Sequence, residues 1–393
     1  MHLQYTVVAF SHLRWNFVYQ RPQHLLSRLA ARRPVLFIEE PEYDPDGPAR
    51  WERSSPHPNV HVFRPRTPIQ APGFHRDQLA ALEPLMAELR EELRGPLLAW
   101  LYTPMALPLA RMLQPHAAVY DCMDELSLFL GAPPELLAHE AELLEYAGVM
   151  FTGGPSLYRA KQRLHPNVHC FPSSVDAAHF RLAGSSGRGL SEAEDQAELP
   201  HPRLGFYGVI DERLDLELID AVAAAHPEWQ LVLVGPVVKI DPATLPRRPN
   251  IHYLGQRTYD ELPRYLAGWD VCLLPFARND STRFISPTKT LEYMAAELPI
   301  VSTPITDVAE PYGEIVYLGS TPKEFIAACR AALAAKPADR AGRIARMREV
   351  LAGTSWEVTV SAMENLLTQQ FRASSARSDR KDSRLSHATQ AHG

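Results

Sequence analysis

The chain has 393 residues, a formal net charge of −6 and 46% hydrophobic residues. That length exceeds one ordinary core and points to two domains of roughly 150 to 200 residues, while the acidic balance argues against general nucleic-acid binding. No apolar run approaches the roughly 18 residues of a membrane-spanning helix, and Cys122, Cys170, Cys272 and Cys329 stand singly, which excludes a zinc ribbon or a disulfide framework and leaves them as reduced thiols.

The N-terminus, MHLQYTVVAF, lacks the basic region and cleavage site of a secretory signal, so a cytoplasmic protein is expected. Short apolar runs follow at Tyr5 to Phe10, Val35 to Ile38, Val60 to Phe63, Leu97 to Tyr102, Ala117 to Tyr120 and Val149 to Phe151. They read as buried parallel strands. Amphipathic helices at Gln20 to Arg32 and Asp77 to Leu93 alternate with them, which predicts a doubly wound α/β domain over residues 1–182.

Ligands of such sheets bind where the strands end, so the loops there carry the candidates. SHLRWNFVYQRPQH, after the first strand, holds His12, Arg14, Tyr19, Arg21 and His24. Aromatic rings and arginine forks together suit sugars and phosphates; the alternative is a packed loop anchored by Trp15 and Phe17. With no G-x-G-x-x-G, a dinucleotide site is not expected. After Ala117 to Tyr120, the carboxylates of YDCMDELS offer acid/base chemistry, with Asp121 at the strand end the better candidate and Asp124 equally suited to capping a helix.

Residues 183–202, AGSSGRGLSEAEDQAELPHP, lack apolar periodicity and read as a linker. The alternation restarts in a second domain, residues 203–353, with runs at Leu204 to Val209, Leu231 to Val234, Ile251 to Leu254, Val271 to Leu274, Ile300 to Ser302 and Ile315 to Leu318. Helices are predicted at Leu214 to Ala225, Tyr259 to Ala267, Ser286 to Glu297 and Lys323 to Ala335. GFYGVIDER places Gly208, Asp211 and Arg213 at a strand exit, where an arginine could neutralise a diphosphate; Gly235 marks a second exit and Arg283 belongs to the polar loop NDSTRF.

The chemistry concentrates in FISPTKTLEYMAAELPIVST, residues 284–303. Ser286 is a good N-cap and Pro287 suits the first helical position. A helix that opens this way presents free backbone N–H groups, with Lys289 beside them, and so suits a phosphate, and Glu292 is placed to reach a neighbouring sugar hydroxyl. Residues 354–371 form a further amphipathic helix, and residues 372–393 are polar, Ser-rich and expected to be disordered.

Two stretches carry a resemblance over most of residues 3 to 371. SHLRWNFVYQRPQHLLSRLA is similar to the start of a bacterial subgroup linked to teichuronic-acid-like and other surface polysaccharides, and ISPTKTLEYMAAELPIVST resembles the donor-binding motif of retaining glycosyltransferases of the two-Rossmann, GT-B type. The resemblance implies two Rossmann-like domains facing across a cleft, with the last helix crossing back to the first. It implies that Glu292 binds the donor ribose, that the amides of Thr288 and Lys289 hold the diphosphate, and that Arg213 lies near the basic residue that compensates the leaving group. This sequence departs from the pattern at Phe284, where the family often has a second glutamate, and at Val209, where an arginine is usual.

The reaction so implied is transfer of a sugar from a nucleoside diphosphate donor to a glycan or lipid-linked acceptor, with retention. Arg213, Lys289 and Asp121 are the candidate catalytic residues. Donor binding falls to Gly208, Asp211, Gly235, Arg283, Ser286, Thr288, Lys289 and Glu292, and acceptor binding to His12, Arg14, Tyr19, Arg21 and His24. No metal or further cofactor is expected, and lipid-linked acceptors of this kind allow peripheral association with a membrane. The rival readings are a nucleotide-sugar epimerase and a non-catalytic binding partner.

Overall fold

The computed structural model describes residues 4–181 and 191–372. Residues 183–190 of the expected linker and 373–393 of the tail lie outside the described residues. The first half builds a sheet from β1 (Thr6–Ser11), β2 (Val35–Glu39), β3 (Glu42–Tyr43), β4 (Arg50–His57), β5 (Val60–Thr67), β6 (Leu97–Leu101), β7 (Ala117–Cys122), β8 (Val149–Thr152) and β9 (Val168–Cys170). Its order is β3-β5-β2-β1-β6-β7-β8-β9, with β4 pairing β5; β4 is antiparallel and the other pairs are parallel.

The pleat explains the packing of this sheet. Along β1, Val8 and Phe10 enter one core with Leu82, Leu85, Met86 and Leu89 of helix Leu79–Glu92. Val7 and Ala9 enter the other with Leu25, Leu26 and Leu29 of helix Arg21–Ala30. That second core also takes Trp356, Val360, Met363, Leu367 and Phe371 from the C-terminal helix of residues 356–372, so the end of the chain lies against the beginning.

The second sheet has β10 (Arg203–Tyr207), β11 (Gln230–Val234), β12 (Ile251–Gly255), β13 (Val271–Leu274), β14 (Ile300–Ser302) and β15 (Tyr317–Leu318). All pairs are parallel, in the order β12-β11-β10-β13-β14-β15. Strand order therefore reverses beside β1 in one sheet and beside β10 in the other. Each reversal opens a crevice at the carboxyl ends of the strands.

Three of the departures from the expectations bear on how the chain is held together. Strand β4 was not expected, because RWERSSPH has no apolar face; Arg66–Glu52 (2.6 Å) and Arg53–Glu92 (2.7 Å) ion pairs flank it instead. Helix Pro337–Ala352 was not expected either, since Met347 is its one buried residue. Residues 191–199 are no free linker: Gln196 is buried, donating to Tyr265 O at 3.0 Å and accepting from Trp269 Nε1 at 3.0 Å, so polar bonds dock the segment without apolar periodicity.

The domains meet along a seam that runs past the cleft. Helix Pro155–Lys161 begins at Gly154, which has no side chain to cap it. Asp307, on helix Thr306–Tyr312 of the other domain, supplies the cap, its Oδ1 accepting from Ser156 N at 2.9 Å. A β-carbon on residue 154 would overlap Asp307 Oδ2 and come 2.7 Å from Ser286 Cβ. Farther along, Arg159 pairs with Glu310 at 2.8 Å. Losing an N-cap costs about 1 kcal/mol. Asp307→Ala is expected to lower thermal stability by that order, and Gly154→Ala to enlarge the radius of gyration in small-angle scattering. Unchanged scattering from Gly154→Ala would show that the domains do not close on this contact.

Candidate functional site

The helix Thr288–Ala295 starts one residue later than its capping residues led one to expect: Pro287 occupies the N-cap and Ser286 lies before it. The consequence is a helix end with no side-chain cap, whose first N–H groups are left for something else. Ser286, Pro287, Thr288 and Lys289 line the interdomain cleft, with Val209, Arg213, Phe276 and Ile285 of the same domain. Gln20, Arg21, Met123, Asp124, Gly153 and Ser173 face them from the other domain.

Gly208 makes room for Lys289, and Gly235 makes room for Gly208. Their φ angles are +135° and +151°, in the region that favours glycine. A β-carbon at 235 would overlap Gly208 O, and one at 208 would overlap Lys289 Cε. Neither glycine needs to touch a ligand to be essential, because bare backbone is what lets the lysine lie across it. Burial pushes the Lys289 ammonium down from its usual value, with Glu292 opposing that shift and Arg213 adding to it.

Glu292 is buried and accepts a hydrogen bond from Tyr207 Oη at 2.6 Å through Oε2. Burial pushes its carboxyl up, while the Tyr207 bond and the Lys289 charge pull it back toward ionisation. Arg213 is held by Asp211: Nη2 reaches Oδ2 at 2.7 Å and Nε reaches Oδ1 at 3.0 Å, and the backbone N–H of Arg213 also donates to Oδ1 at 3.0 Å. Asp211 is therefore spent on fixing the arginine and is not a donor contact. The fork's Nη1 has no partner among the described residues and stays free for an anion.

On the facing wall, Asp121 does not have the role expected of it. Arg21 grips it at 2.8 to 3.2 Å, and Trp100 Nε1 donates to Oδ2 at 3.2 Å, so both oxygens are sealed in a fully buried pair. The remaining Arg21 nitrogen donates to Phe171 O at 2.7 Å. This pair braces the cleft wall. Asp124, which suited a cap equally well, is instead the carboxylate in the cleft, pushed up by burial and pulled down by Arg213 across the gap.

Three acceptor candidates are committed elsewhere. Arg14 donates to Glu39 Oε2 at 3.3 Å and to the carbonyls of Glu40 and Pro41. His24 is buried and stacked on Trp356 at 4.6 Å, where burial holds its pKa down at about 3. Tyr19 stacks on Tyr259 of the second domain at 4.7 Å, so it joins the domains. Arg283 is exposed over the Phe284 ring, 5.1 Å away, and does not line the cleft. Phe284 itself packs against the first domain's core. His12 keeps a neutral ring, its pKa lowered to about 4 chiefly by burial and then by Lys239.

Sequence reasoning missed Glu40, whose carboxyl is pushed up to about 7 by burial, against Arg14 and Lys239. Its position just after β2 was the available signal. Tyr207, too, was read only as strand. Among the described residues no group of three or more His, Cys, Asp and Glu is placed to hold a metal, and no helix is long and apolar enough to cross a membrane.

Residues 201–335 match the family of glycosyl transferases group 1. A stretch of 136 residues is 31% identical to the Bacillus subtilis protein TuaH, named as a teichuronic acid biosynthesis glycosyltransferase, and spans 33% of this chain. The match covers 34% of TuaH, about a third of that relative's length. Sucrose-phosphate synthase from Thermosynechococcus elongatus superposes over 94% of this chain and 100% of its own, with a TM-score of 0.69 at 16% identity. Trehalose-6-phosphate synthase from E. coli, bound with UDP-2-fluoro glucose, covers 93% and 99% with a TM-score of 0.66 at 14% identity. Anabaena HepE, in complex with UDP and glucose, gives 93%, 100% and 0.64 at 15% identity. At these identities the likeness is one of fold, and the fold is GT-B.

Removing one partner of a buried ion pair costs about 3 to 5 kcal/mol. Asp121→Ala is expected to destabilise the protein by that order in denaturant titrations, by stranding Arg21, whereas Asp124→Asn is expected to stay within about 0.5 kcal/mol of the wild type. Equal losses from the two changes would contradict the assignment of bracing to one and exposure to the other.

Proposed function

We propose that the chain is a glycosyltransferase that moves a sugar from a nucleoside diphosphate sugar to a hydroxyl of a glycan or lipid-linked acceptor, with retention at the anomeric carbon. The observation that carries this reading is the single cleft in which an uncapped helix start, Lys289 and the free edge of Arg213 face Asp124 of the other domain. The group 1 match over residues 201–335 supports the donor half of it. The name of TuaH and the sugar-nucleotide complexes of two fold relatives support the substrate class.

In this reading the N–H groups of Thr288 and Lys289 hold the diphosphate, and Glu292 takes a ribose hydroxyl. Arg213 and Lys289 face the oxygen on which charge develops as the sugar–phosphate bond breaks. These fixed charges are enough for the leaving group without a metal ion. For retention, the acceptor oxygen bonds to the anomeric carbon on the face from which the diphosphate departs, and the departing phosphate oxygen takes the hydroxyl proton. The acceptor enters from the first domain, where Asp124 is the carboxylate that lines the cleft, with Gln20 and Ser173 beside it. Closure of the seam excludes water and limits donor hydrolysis.

Epimerisation would need acid and base groups around the donor sugar. Beside Arg213 and Lys289, the second domain lines the cleft with Val209, Phe276, Ile285, Ser286, Pro287 and Thr288, none of which carries a carboxylate or imidazole. Lipid-linked acceptors would bring the protein to a membrane face.

A charge-assisted hydrogen bond is worth about 1.5 to 3 kcal/mol. In calorimetric titrations with UDP, GDP and ADP, one nucleotide is expected to bind the wild type and to lose that much affinity in Glu292→Ala. Well-folded protein that binds none of them would contradict the proposal.

A further inference from the structure

We infer that Tyr207 is a positioning residue for nucleotide recognition, its phenol holding one oxygen of Glu292 so that the carboxylate is aimed at the ribose. The inference rests on the reading of Glu292 as the ribose contact and adds to it a second residue and a selectivity.

The phenol has little freedom to do anything else. Tyr207 is 3% exposed at the end of β10, and its Oη lies 2.6 Å from Glu292 Oε2. Its backbone N–H donates to Tyr293 Oη at 3.2 Å, so the residue next to Glu292 on the helix grips the strand while the strand grips Glu292. The two rings meet edge to face at 5.1 Å, and Trp269 and Phe180 lie at 6.0 and 6.4 Å. A rigid aromatic packed on three sides aims its hydroxyl more tightly than solvent or a flexible side chain could.

Two consequences follow for Glu292. Its Oε2 accepts a short bond that fixes the plane of the carboxylate, and its remaining lone pairs stay open to ribose hydroxyls. The phenol also favours the ionised carboxylate against the cost of burial, which is the form that accepts from a ribose hydroxyl. Tyr259, whose Oη is buried without a partner, lies within electrostatic reach of the same carboxylate and makes no bond to it. Lys289 is the other charge facing Glu292. The hydrogen-bonded restraint is therefore Tyr207 alone among the described residues.

The test uses whichever of UDP, GDP and ADP binds most tightly, with its 2′-deoxy and 3′-deoxy forms, titrated into wild type, Tyr207→Phe, Glu292→Ala and the double variant. The wild type is expected to prefer the ribonucleotide by about tenfold or more over at least one deoxy form. Tyr207→Phe removes one oxygen and no packing volume. It should collapse that preference several-fold, leave the affinity for the disfavoured deoxy form unchanged, and move the acid limb of the binding curve to higher pH, because the carboxyl then protonates more easily. In the Glu292→Ala background the same change should do nothing further.

A wild type that binds nucleotide with no ribose preference, unaltered by Glu292→Ala, overturns the ribose reading and this inference with it. A preference that Glu292→Ala abolishes but Tyr207→Phe leaves intact, with an unmoved pH profile, overturns the role of Tyr207 alone. An equal effect of Tyr207→Phe with and without Glu292 would mark the tyrosine as a packing residue and overturn it as well.

Discussion

Lys289 can lie at the mouth of the helix Thr288–Ala295 only because residue 208 has no side chain, and residue 235 must have none either for the backbone of residue 208 to sit where it does. Much of the second domain's cleft face follows from that constraint. The two strand exits must take left-handed backbone angles, β10 and β11 must end at the same level, and the ammonium is then stacked over Phe206, 5.7 Å from its ring, beside the helix N–H groups. Positive charge is concentrated where two parallel-sheet crevices open toward each other. Arg213, steadied by Asp211, completes it from the adjoining loop.

The first domain answers with carboxylates, and the fold sorts them by burial. Asp121 is consumed by Arg21 and Trp100, Glu140 is consumed by Tyr120 and Lys161, and Asp124 is left toward the cleft. The sealed pairs hold the loops rigid, and Asp124 is where an acceptor hydroxyl would find a partner. The aromatic junction of Tyr19, His24, Tyr259 and Trp356 ties both domains and the last helix at one point, while the Asp307 cap ties them at another. A cleft joined at two separated places has a defined width.

The parts of this arrangement carried by local chemistry were legible in the sequence. Buried parallel strands announce themselves as apolar runs, and the helix start at Thr288, the lysine and the glutamate one turn on lie within a few residues of each other. Pairings over long separations were not legible. Arg21 and Asp121 are a hundred residues apart, so nothing local says which of Asp121 and Asp124 is sealed. Strand β4 and the segment 191–199 are held by ion pairs and amide hydrogen bonds, which leave no hydrophobic period to read. His24 looked like a ligand-facing histidine because the Trp356 that buries it arrives from the far end of the chain.

The central claim is spatial: one nucleoside diphosphate, with its diphosphate on the amides of Thr288 and Lys289 and its ribose on Glu292. The most direct measurement is a crystal structure of the protein soaked with the nucleoside diphosphate it binds. The account predicts phosphate oxygens within hydrogen-bond distance of those two amides and of Arg213 Nη1, and a ribose hydroxyl on the Glu292 carboxylate. A diphosphate bound elsewhere in the cleft, or a ribose turned away from Glu292, would contradict it.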